Sequence, residues 1–388
     1  MSRSFILEDD DKPVNRPLTR FRPVFSLRNG IYTPLERLRL RHPDASLYFR
    51  HPDAGYRALA AQYETLLPAA PPLGPEDNPT AEVQGYPTPR DAETITTDGL
   101  TPFELLDGIG DMIAADLELL RAAPAGGDFR SGTQLQSSEF VEDCRAMFHG
   151  FAPTLVGDAD AFFIHRDARI LPGVVLDGRD GPVVIDAGVQ IGPSSYIAGP
   201  FYAGPEARLD NLHASGGCIL GRHVRAGGEI GNAVMNDFSN KHHEGFLGHS
   251  VLGRWVNLGA LTTTSDLKNN YGRIRIKVAE EFRPTGTEPR LLDVDTGRIK
   301  FGSVIGDCVK TAIGTMLNTG TVLDAGSNVF GGSPPAYLPP LRWGVKDPSS
   351  TYKPDRFLDD CRLIFARRGE APGPTLAGFV AGLTSNHS

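Results

Sequence analysis

Aliphatic residues recur at every sixth position over much of the carboxy-terminal half of the chain. One phase of this repeat is held by Ile185, Ile191, Ile197, Ala203 and Leu209, by Leu252 and Leu258, and by Ile305, Thr311, Leu317, Leu323 and Val329. Small or β-branched residues hold a second phase at Val309, Thr315, Thr321 and Ser327. A six-residue repeat with two fixed phases predicts a hexapeptide β-helix, in which stacked rungs bury together the aliphatic side chains that one rung could not bury alone.

Two segments interrupt the repeat. Asn211–Gly248 is polar and rich in glycine, and Thr262–Gly302 contains a turn-like Lys268–Gly272 followed by a strand-like Arg273–Val278. Insertions in a solenoid map to loops on one face and often carry the binding site. We therefore expect chemistry in or beside these two segments.

The flanks of the repeat have different patterns. Apolar residues at helical spacing predict a helix over Thr101–Arg121, with Thr101-Pro102 and Glu104 at its start, and another over Pro354–Arg368. Residues 68–90 and Gly126–Gly132 are predicted loops. The expected organisation is a small α/β domain over 1–150, a β-helix over 151–338, and a carboxy-terminal helical tail over 339–388.

Composition narrows the function classes. The 388 residues carry a net charge of −8, which disfavours nucleic acid or an anionic membrane as partner but leaves room for a local phosphate pocket. The four cysteines are far apart, so neither a disulfide framework nor a zinc ribbon is indicated. The first residues lack the apolar core of a signal peptide, and no 18-residue apolar run follows. We expect a cytoplasmic protein.

Titratable groups are concentrated in Ser239–Gly248, which contains Lys241, His242 and His243. Histidine suits general-base catalysis because its ordinary pKa lies near neutrality. The alternative is that these histidines are structural residues of a loop, which is the commoner role for a histidine outside a recognised motif.

Several of these runs resemble a known family. The run Lys241–Gly253, then Asn257-Leu-Gly-Ala and Asn269-Asn-Tyr-Gly, is similar to the acetyltransferase half of the bifunctional N-acetylglucosamine-1-phosphate uridyltransferase / glucosamine-1-phosphate N-acetyltransferase. The compact relatives often labelled sugar nucleotidyltransferase-like also share a run similar to Pro17–Pro23 and an ending similar to Ala366-Arg-Arg. The resemblance implies a left-handed parallel β-helix and a homotrimer with acetyl-CoA, as co-substrate, bound between subunits.

The resemblance also implies roles for individual residues. His243 takes the position of the base in the family's His-x-x-aromatic-Leu-Gly run, and Phe246 that of the aromatic residue. The other candidates fall into three groups: Asn257, Asn270 and Tyr271 to orient the acceptor and acetyl group; Ala260, Thr315, Arg367 and Arg368 to bind the donor; and Lys241 and Lys268 to neutralise an acceptor phosphate. The structural alternatives are a solvated lysine, a helix-end arginine, an asparagine in a polar ladder, and packing against the coil for the aromatic Phe246 and Tyr271.

The chain departs from the family in two ways. It has no glycine-rich Leu-x-x-Gly-x-Gly-Thr-Arg-Met loop, so nucleotidyl transfer is not expected. The family's sugar-phosphate arginine and lysine fall on Ala198 and Gly231. The predicted activity is acetyl-CoA-dependent N-acetylation of an amino-sugar phosphate or a nucleotide amino sugar, with the acceptor undetermined, a magnesium requirement left open and no other metal expected.

Two other functions fit parts of the pattern. The chain could be a catalytically reduced, sugar-nucleotide-binding or regulatory trimer. It could also be a zinc-dependent β-helix like the γ-class carbonic anhydrases, with ligands from His213, His223, His242, His243 and His249. The His-x4-His spacing of that class is not reproduced, since His243 and His249 are six positions apart.

Overall fold

A computed structural model describes residues 4–8, 12–20, 24–50, 93–96, 100–123, 127–135, 153–280, 289–373 and 376. The predicted loop at 68–90 and the predicted boundary between residues 150 and 151 lie outside these ranges. The predicted loop Gly126–Gly132 is wrong in part, because Phe129–Ser131 forms a strand that pairs antiparallel with Phe162–His165.

Strands dominate the described residues. In chain order they are β1 Ser4–Glu8, β2 Ser46–Arg50, β3 Glu93–Thr96, β4 Phe129–Ser131, β5 Thr154–Val156, β6 Phe162–His165, β7 Arg169–Ile170, β8 Val175–Asp177, β9 Val183–Ile185, β10 Gln190–Ile191, β11 Tyr196–Ala198, β12 Phe201–Ala203, β13 Arg208–Leu220, β14 Arg225–Met235, β15 Asn240–Lys241, β16 Phe246–Leu252, β17 Thr263–Thr264, β18 Arg275–Ala279, β19 Leu291–Asp295, β20 Ser303–Ile305, β21 Lys310–Thr311, β22 Met316–Leu317, β23 Thr321–Leu323, β24 Asn328–Val329 and β25 Tyr337–Leu338. The helices are α1 Arg16–Thr19, α2 Pro34–Arg41, α3 Pro102–Asp107, α4 Ile109–Ala122, α5 Gly132–Leu135 and α6 Pro354–Ala366.

From β5 onward the chain winds as a coil with three parallel ladders, and the prediction of a left-handed parallel β-helix is confirmed. The first face contains β7, β10, the starts of β13 and β14, β15, Asn257, β21 and β24. The second contains β5, β8, β11, the middle of β13 and of β14, the start of β16, β17 and β22. The third contains β6, β9, β12, the ends of β13, β14 and β16, β20, β23 and β25.

The turns that join these faces form three edges, numbered by the face that precedes them. The first edge includes residues 242–245, 259–262 and 312–315. The second includes Asn232 and His249, and the third includes residues 236–239, 253–256 and 306–309. The repeat residues point into the coil, where Ile185, Leu209 and Leu323 are fully buried.

The first predicted interruption is wrong, because Asn211–Gly248 continues the coil as β13, β14, β15 and the start of β16. The reason is the length of these turns. Leu209 pairs with Ala226, 17 positions later, whereas the regular turn that pairs Ile305 with Leu323 takes 18. A shortened turn shifts the six-residue phase while the strands still stack.

The second predicted interruption is confirmed as an insertion. The chain leaves the coil at the second edge after β17, forms the antiparallel pair β18–β19, and returns at β20. Strand β18 covers most of the predicted Arg273–Val278.

The amino-terminal part covers the third face. It holds a parallel sheet of order β2-β1-β3, and its apolar side chains share one cluster with outward residues of the coil such as Tyr202, Val234 and Val304. The helix predicted over Thr101–Arg121 is two helices that meet at Gly108, and the capping box of Thr101 and Glu104 is present.

The predicted carboxy-terminal helix is confirmed as α6, which lies against the third edge. Phe357, Cys361 and Phe365 are buried there, and the ring of Phe365 stacks on Trp255 at 4.0 Å. Within the described part of the chain, every helix is too short or too polar to cross a bilayer.

Candidate functional site

His243 and two of the four residues predicted to bind acetyl-CoA, Ala260 and Thr315, lie together on the first edge. His243, Ala260 and Thr315 are separated in sequence but occupy three successive turns of the coil. Backbone hydrogen bonds of 2.8 Å connect these turns, from the N–H of Leu261 to the carbonyl of Glu244 and from the N–H of Gly314 to the carbonyl of Ala260. The hydroxyl of Thr315 donates to the carbonyl of Ala312 at 2.7 Å. The coil therefore places the predicted base, His243, one turn before Ala260 and two turns before Thr315, the two predicted acetyl-CoA contacts.

His243 is exposed, and its ring meets that of His242 edge-on at 5.2 Å. Among the described residues, no side chain is hydrogen-bonded to its imidazole. His242 is less exposed, with Nε2 3.6 Å from Oδ2 of Asp210, and burial lowers its pKa. Backbone hydrogen bonds thus hold the turn that carries His243, whereas no hydrogen bond within the described residues orients its ring.

Lys241 anchors the backbone of this turn. Its side chain is buried, and Nζ donates to the carbonyls of Gly227 (2.7 Å), His243 (2.7 Å) and Gly245 (2.6 Å). An ammonium group has three donors, and all three are used here. The structure therefore leaves Lys241 no donor for the acceptor phosphate it was predicted to bind.

Asn257 belongs to a polar ladder on the first face. Its Oδ1 accepts a hydrogen bond of 2.6 Å from Nδ2 of Asn240, one turn earlier. This is the structural alternative considered for Asn257, although its side chain remains exposed.

The insertion contains three residues that are predicted to bind the acceptor sugar, and all three lie in a single loop beyond the second edge. Asn270 Oδ1 accepts from the N–H of Gly272 at 3.0 Å, and Lys268 Nζ donates to the carbonyl of Arg273 at 2.9 Å. Tyr271 has a φ of 55° and is 68% exposed. These residues extend from a different edge of the coil from the one that carries His243.

Arg367 and Arg368 follow α6 at the third edge. Arg367 is exposed, whereas burial, and then the charges of Arg225 and Arg367, lower the pKa of Arg368. The neighbouring Arg222 and Glu370 form an ion pair of 2.8 Å.

The structure also shows a pair that the sequence argument missed. His249 Nδ1 lies 2.6 Å from Oδ2 of Asp266, at the point where the insertion leaves the coil. The ring of the predicted acceptor residue Phe246 lies beside them over Gly248, because a Cβ on that glycine would fall 2.3 Å from Phe246 Cζ and 2.8 Å from Asp266 Oδ2. Asp266 follows His249 by 17 positions, one turn of the coil, and this spacing is the signal that could have found the pair.

Among the described residues, no group of three or more histidine, cysteine, aspartate or glutamate side chains is arranged to hold a metal ion. Of the residues considered for a zinc site, His223 stacks on Phe238 at 5.2 Å, and His213 lies 5.1 Å from Tyr196.

No protein-family model matches the chain, and no curated protein matches it. PerB from Caulobacter crescentus, crystallised with CoA and GDP-perosamine, is 13% identical, over 85% of this chain and 90% of that chain, with a TM-score of 0.16. A mutant of GDP-perosamine N-acetyl transferase from the same organism is 14% identical, over 86% and 92%, with a TM-score of 0.14. Such TM-scores give no residue-by-residue correspondence.

Proposed function

We propose that this protein transfers the acetyl group of acetyl-CoA to the amine of an amino-sugar phosphate or a nucleotide amino sugar. The observation that carries this proposal is the grouping of the candidate residues. Two of the four residues assigned to acetyl-CoA, Ala260 and Thr315, share the first edge with His243. Four of the six residues assigned to the acceptor lie on the second face or beyond the second edge, namely Phe246, Lys268, Asn270 and Tyr271.

A homotrimer would unite the two groups. Rotational symmetry can bring the first edge of one subunit to the second edge of the next, so that each site takes its donor and acceptor residues from different chains. Leu261, Ile313 and Met316 support this arrangement, since they are large apolar side chains near the donor residues and are 56%, 76% and 69% exposed. Mass measurement in solution tests it, and a monomer at working concentration would contradict it.

The acceptor's phosphate is not expected to lie beside Phe246. Gly231 is on the adjacent turn, and a Cβ on it would be 4.0 Å from the Phe246 ring. In the family that the chain resembles, this position carries a cationic side chain that binds the sugar phosphate, and a glycine here supplies no such charge beside Phe246. Glu229, which pairs with Phe246 in the ladder, is exposed and acidic. A nucleotide amino sugar, whose phosphates can lie further from the amine, fits this surface better than glucosamine 1-phosphate.

Two measurements test the function. Calorimetric titration with acetyl-CoA should show saturable binding, and the absence of binding at millimolar acetyl-CoA would contradict the proposal. An acceptor panel with detection of the released thiol should then show turnover. It includes glucosamine 1-phosphate, UDP-linked amino sugars and GDP-perosamine, which was crystallised with the similar Caulobacter crescentus enzymes.

A second candidate is a regulatory trimer that binds the ligands without turnover. Two observations favour it: the donors of Lys241 are used by backbone carbonyls, and Asn257 is paired within a ladder. Saturable acetyl-CoA binding with no thiol release from any acceptor is the result this candidate expects.

A further inference from the structure

We infer that His249, oriented by Asp266, takes the proton from the acceptor amine, in the place that the family resemblance gives to His243. This inference rests on the proposed acetyl transfer and names the group that performs its proton step. The side chains of His249 and Asp266 are 22% and 16% exposed, so the pair is sheltered but open to a ligand.

The hydrogen bond fixes which nitrogen can act as base. A carboxylate only accepts hydrogen bonds, so the proton of the 2.6 Å contact belongs to Nδ1 of His249. In the neutral imidazole the lone pair is then on Nε2. Among the described residues, no hydrogen bond to Nε2 is found, which leaves this atom available to a substrate.

Both partners are fixed by the two ends of the insertion. His249 has a φ of 45°, and its carbonyl accepts from the N–H of Gly302 at 2.9 Å. The carbonyl of Asp266 accepts from the N–H of Phe301 at 2.8 Å, and Phe301 is fully buried against Phe103 of α3. A base that is positioned before the substrate binds requires no reorganisation during the reaction.

The surroundings suit an amino sugar. The Phe246 ring and the Asp266 carboxylate meet over Gly248, where a side chain would fill the space that they use. An aromatic ring beside a few convergent polar groups is typical of small-molecule sites. The insertion, which carries residues predicted to bind the acceptor sugar, also leaves the coil at this second edge. His243 lies on the first edge, at the opposite side of the second face, and no carboxylate among the described residues is hydrogen-bonded to its ring.

The acetyl transfer proceeds in two steps, and His249 takes up a proton in the first and returns it in the second. The acceptor amine attacks the carbonyl carbon of acetyl-CoA, and the new N–C bond forms as Nε2 of His249 takes a proton from the nitrogen. The tetrahedral intermediate then breaks its C–S bond, and the thiolate of CoA leaves with the proton from the imidazolium. The products are the N-acetylated sugar and CoA with a free thiol.

Steady-state kinetics of the full chain test the assignment. His249→Asn should lower kcat by about 100-fold or more, with unchanged affinity for acetyl-CoA by calorimetry; asparagine tolerates the left-handed backbone at this position. Asp266→Asn should lower kcat about tenfold or more with little change in KM, and Asp266→Glu should recover part of the loss. His213→Asn, on an exposed histidine of the second face, is the matched control and should behave as wild type.

The outcomes separate the inference from the proposed function. Turnover that survives in His249→Asn within threefold of wild type, or a larger loss in His243→Asn, overturns the assignment while leaving acetyl transfer intact. Absence of turnover in wild type sinks the proposed function instead. Nitrogen-15 NMR tests the pair without turnover: His249 should be the Nδ1–H tautomer in wild type and should lose that preference in Asp266→Asn, and an Nε2–H tautomer in wild type contradicts the inference.

Discussion

The guanidinium group of Arg20 forms a buried ion pair with the carboxylate of Asp324, across 304 positions of sequence. Nε donates to Oδ1 at 2.8 Å, and the two side chains are 2% and 1% exposed. Tyr337 also donates to Asp324, at 2.8 Å. Arg20 lies in the Pro17–Pro23 run that carries part of the family resemblance, so the described part of this run has a structural role in fixing the amino-terminal part to the coil.

Replacement of Arg20 by methionine should destabilise the protein by about 3–5 kcal/mol, because the buried Asp324 carboxylate would keep its hydrogen bond from Tyr337 but lose the positive charge that neutralises it. Chemical denaturation monitored by circular dichroism measures this. The matched control is Arg275→Met, which removes an exposed pair with Asp293 (2.8 Å) and should cost about 0–1 kcal/mol. Equal losses in the two variants would contradict the prediction.

The fold was predictable from the sequence where inward-facing aliphatic residues recur at a constant spacing. The aliphatic phase around Ile185 and Leu323 predicted the coil, because each rung must bury its inward residue. It failed over Asn211–Gly248, where paired residues are 15 to 17 positions apart, which shifts the phase without ending the stack. The break at Gly108 was also missed, since the apolar spacing continues across the two helices.

The candidate site was harder to predict. A local motif identified His243, but the orienting partner of a histidine comes from another turn of the coil, and only the register shows that Asp266 reaches His249. The role of Lys241 was missed for a similar reason: carbonyls at positions 227, 243 and 245 converge on its ammonium only after the coil has formed.

Lys241 should make stability depend on pH in the alkaline range. Burial lowers its pKa from 10.5 to about 8, with Glu244 and Glu229 opposing the shift. Between these values the unfolded chain binds more protons than the folded chain, so this group makes the free energy of unfolding rise from about pH 8 to about pH 10.5. Urea denaturation over this range should show the rise in wild type and not in Lys241→Met. Parallel pH curves for the two proteins would refute the prediction.

Gly302 should not tolerate alanine. A Cβ at this position would fall 2.0 Å from the carbonyl oxygen of Gly248 and 2.3 Å from Oγ of Ser250, so the returning end of the insertion would have to move away from His249. We expect a loss of about 1–3 kcal/mol in the free energy of unfolding. Gly127→Ala is the control, because a Cβ there meets nothing within 4 Å. A Gly302→Ala protein as stable as the control would show that the backbone adjusts freely.

The stack of Phe365 on Trp255 should report on the docking of α6. The ring centroids are 4.0 Å apart with an interplanar angle of 14°, and Phe238 stacks on the other side of Trp255 at 4.2 Å. Phe365→Ala exposes one face of the Trp255 indole, so Trp255 emission should shift to longer wavelength, and the free energy of unfolding should fall by about 3–5 kcal/mol.

The measurement uses a Trp343→Phe background, because the chain has two tryptophans and the emission of Trp343 would overlap that of Trp255. Leu363→Ala is the control on the same helix, since Leu363 is 69% exposed and should leave the emission unchanged. An unshifted spectrum in Phe365→Ala would mean that α6 does not rest on the third edge in solution.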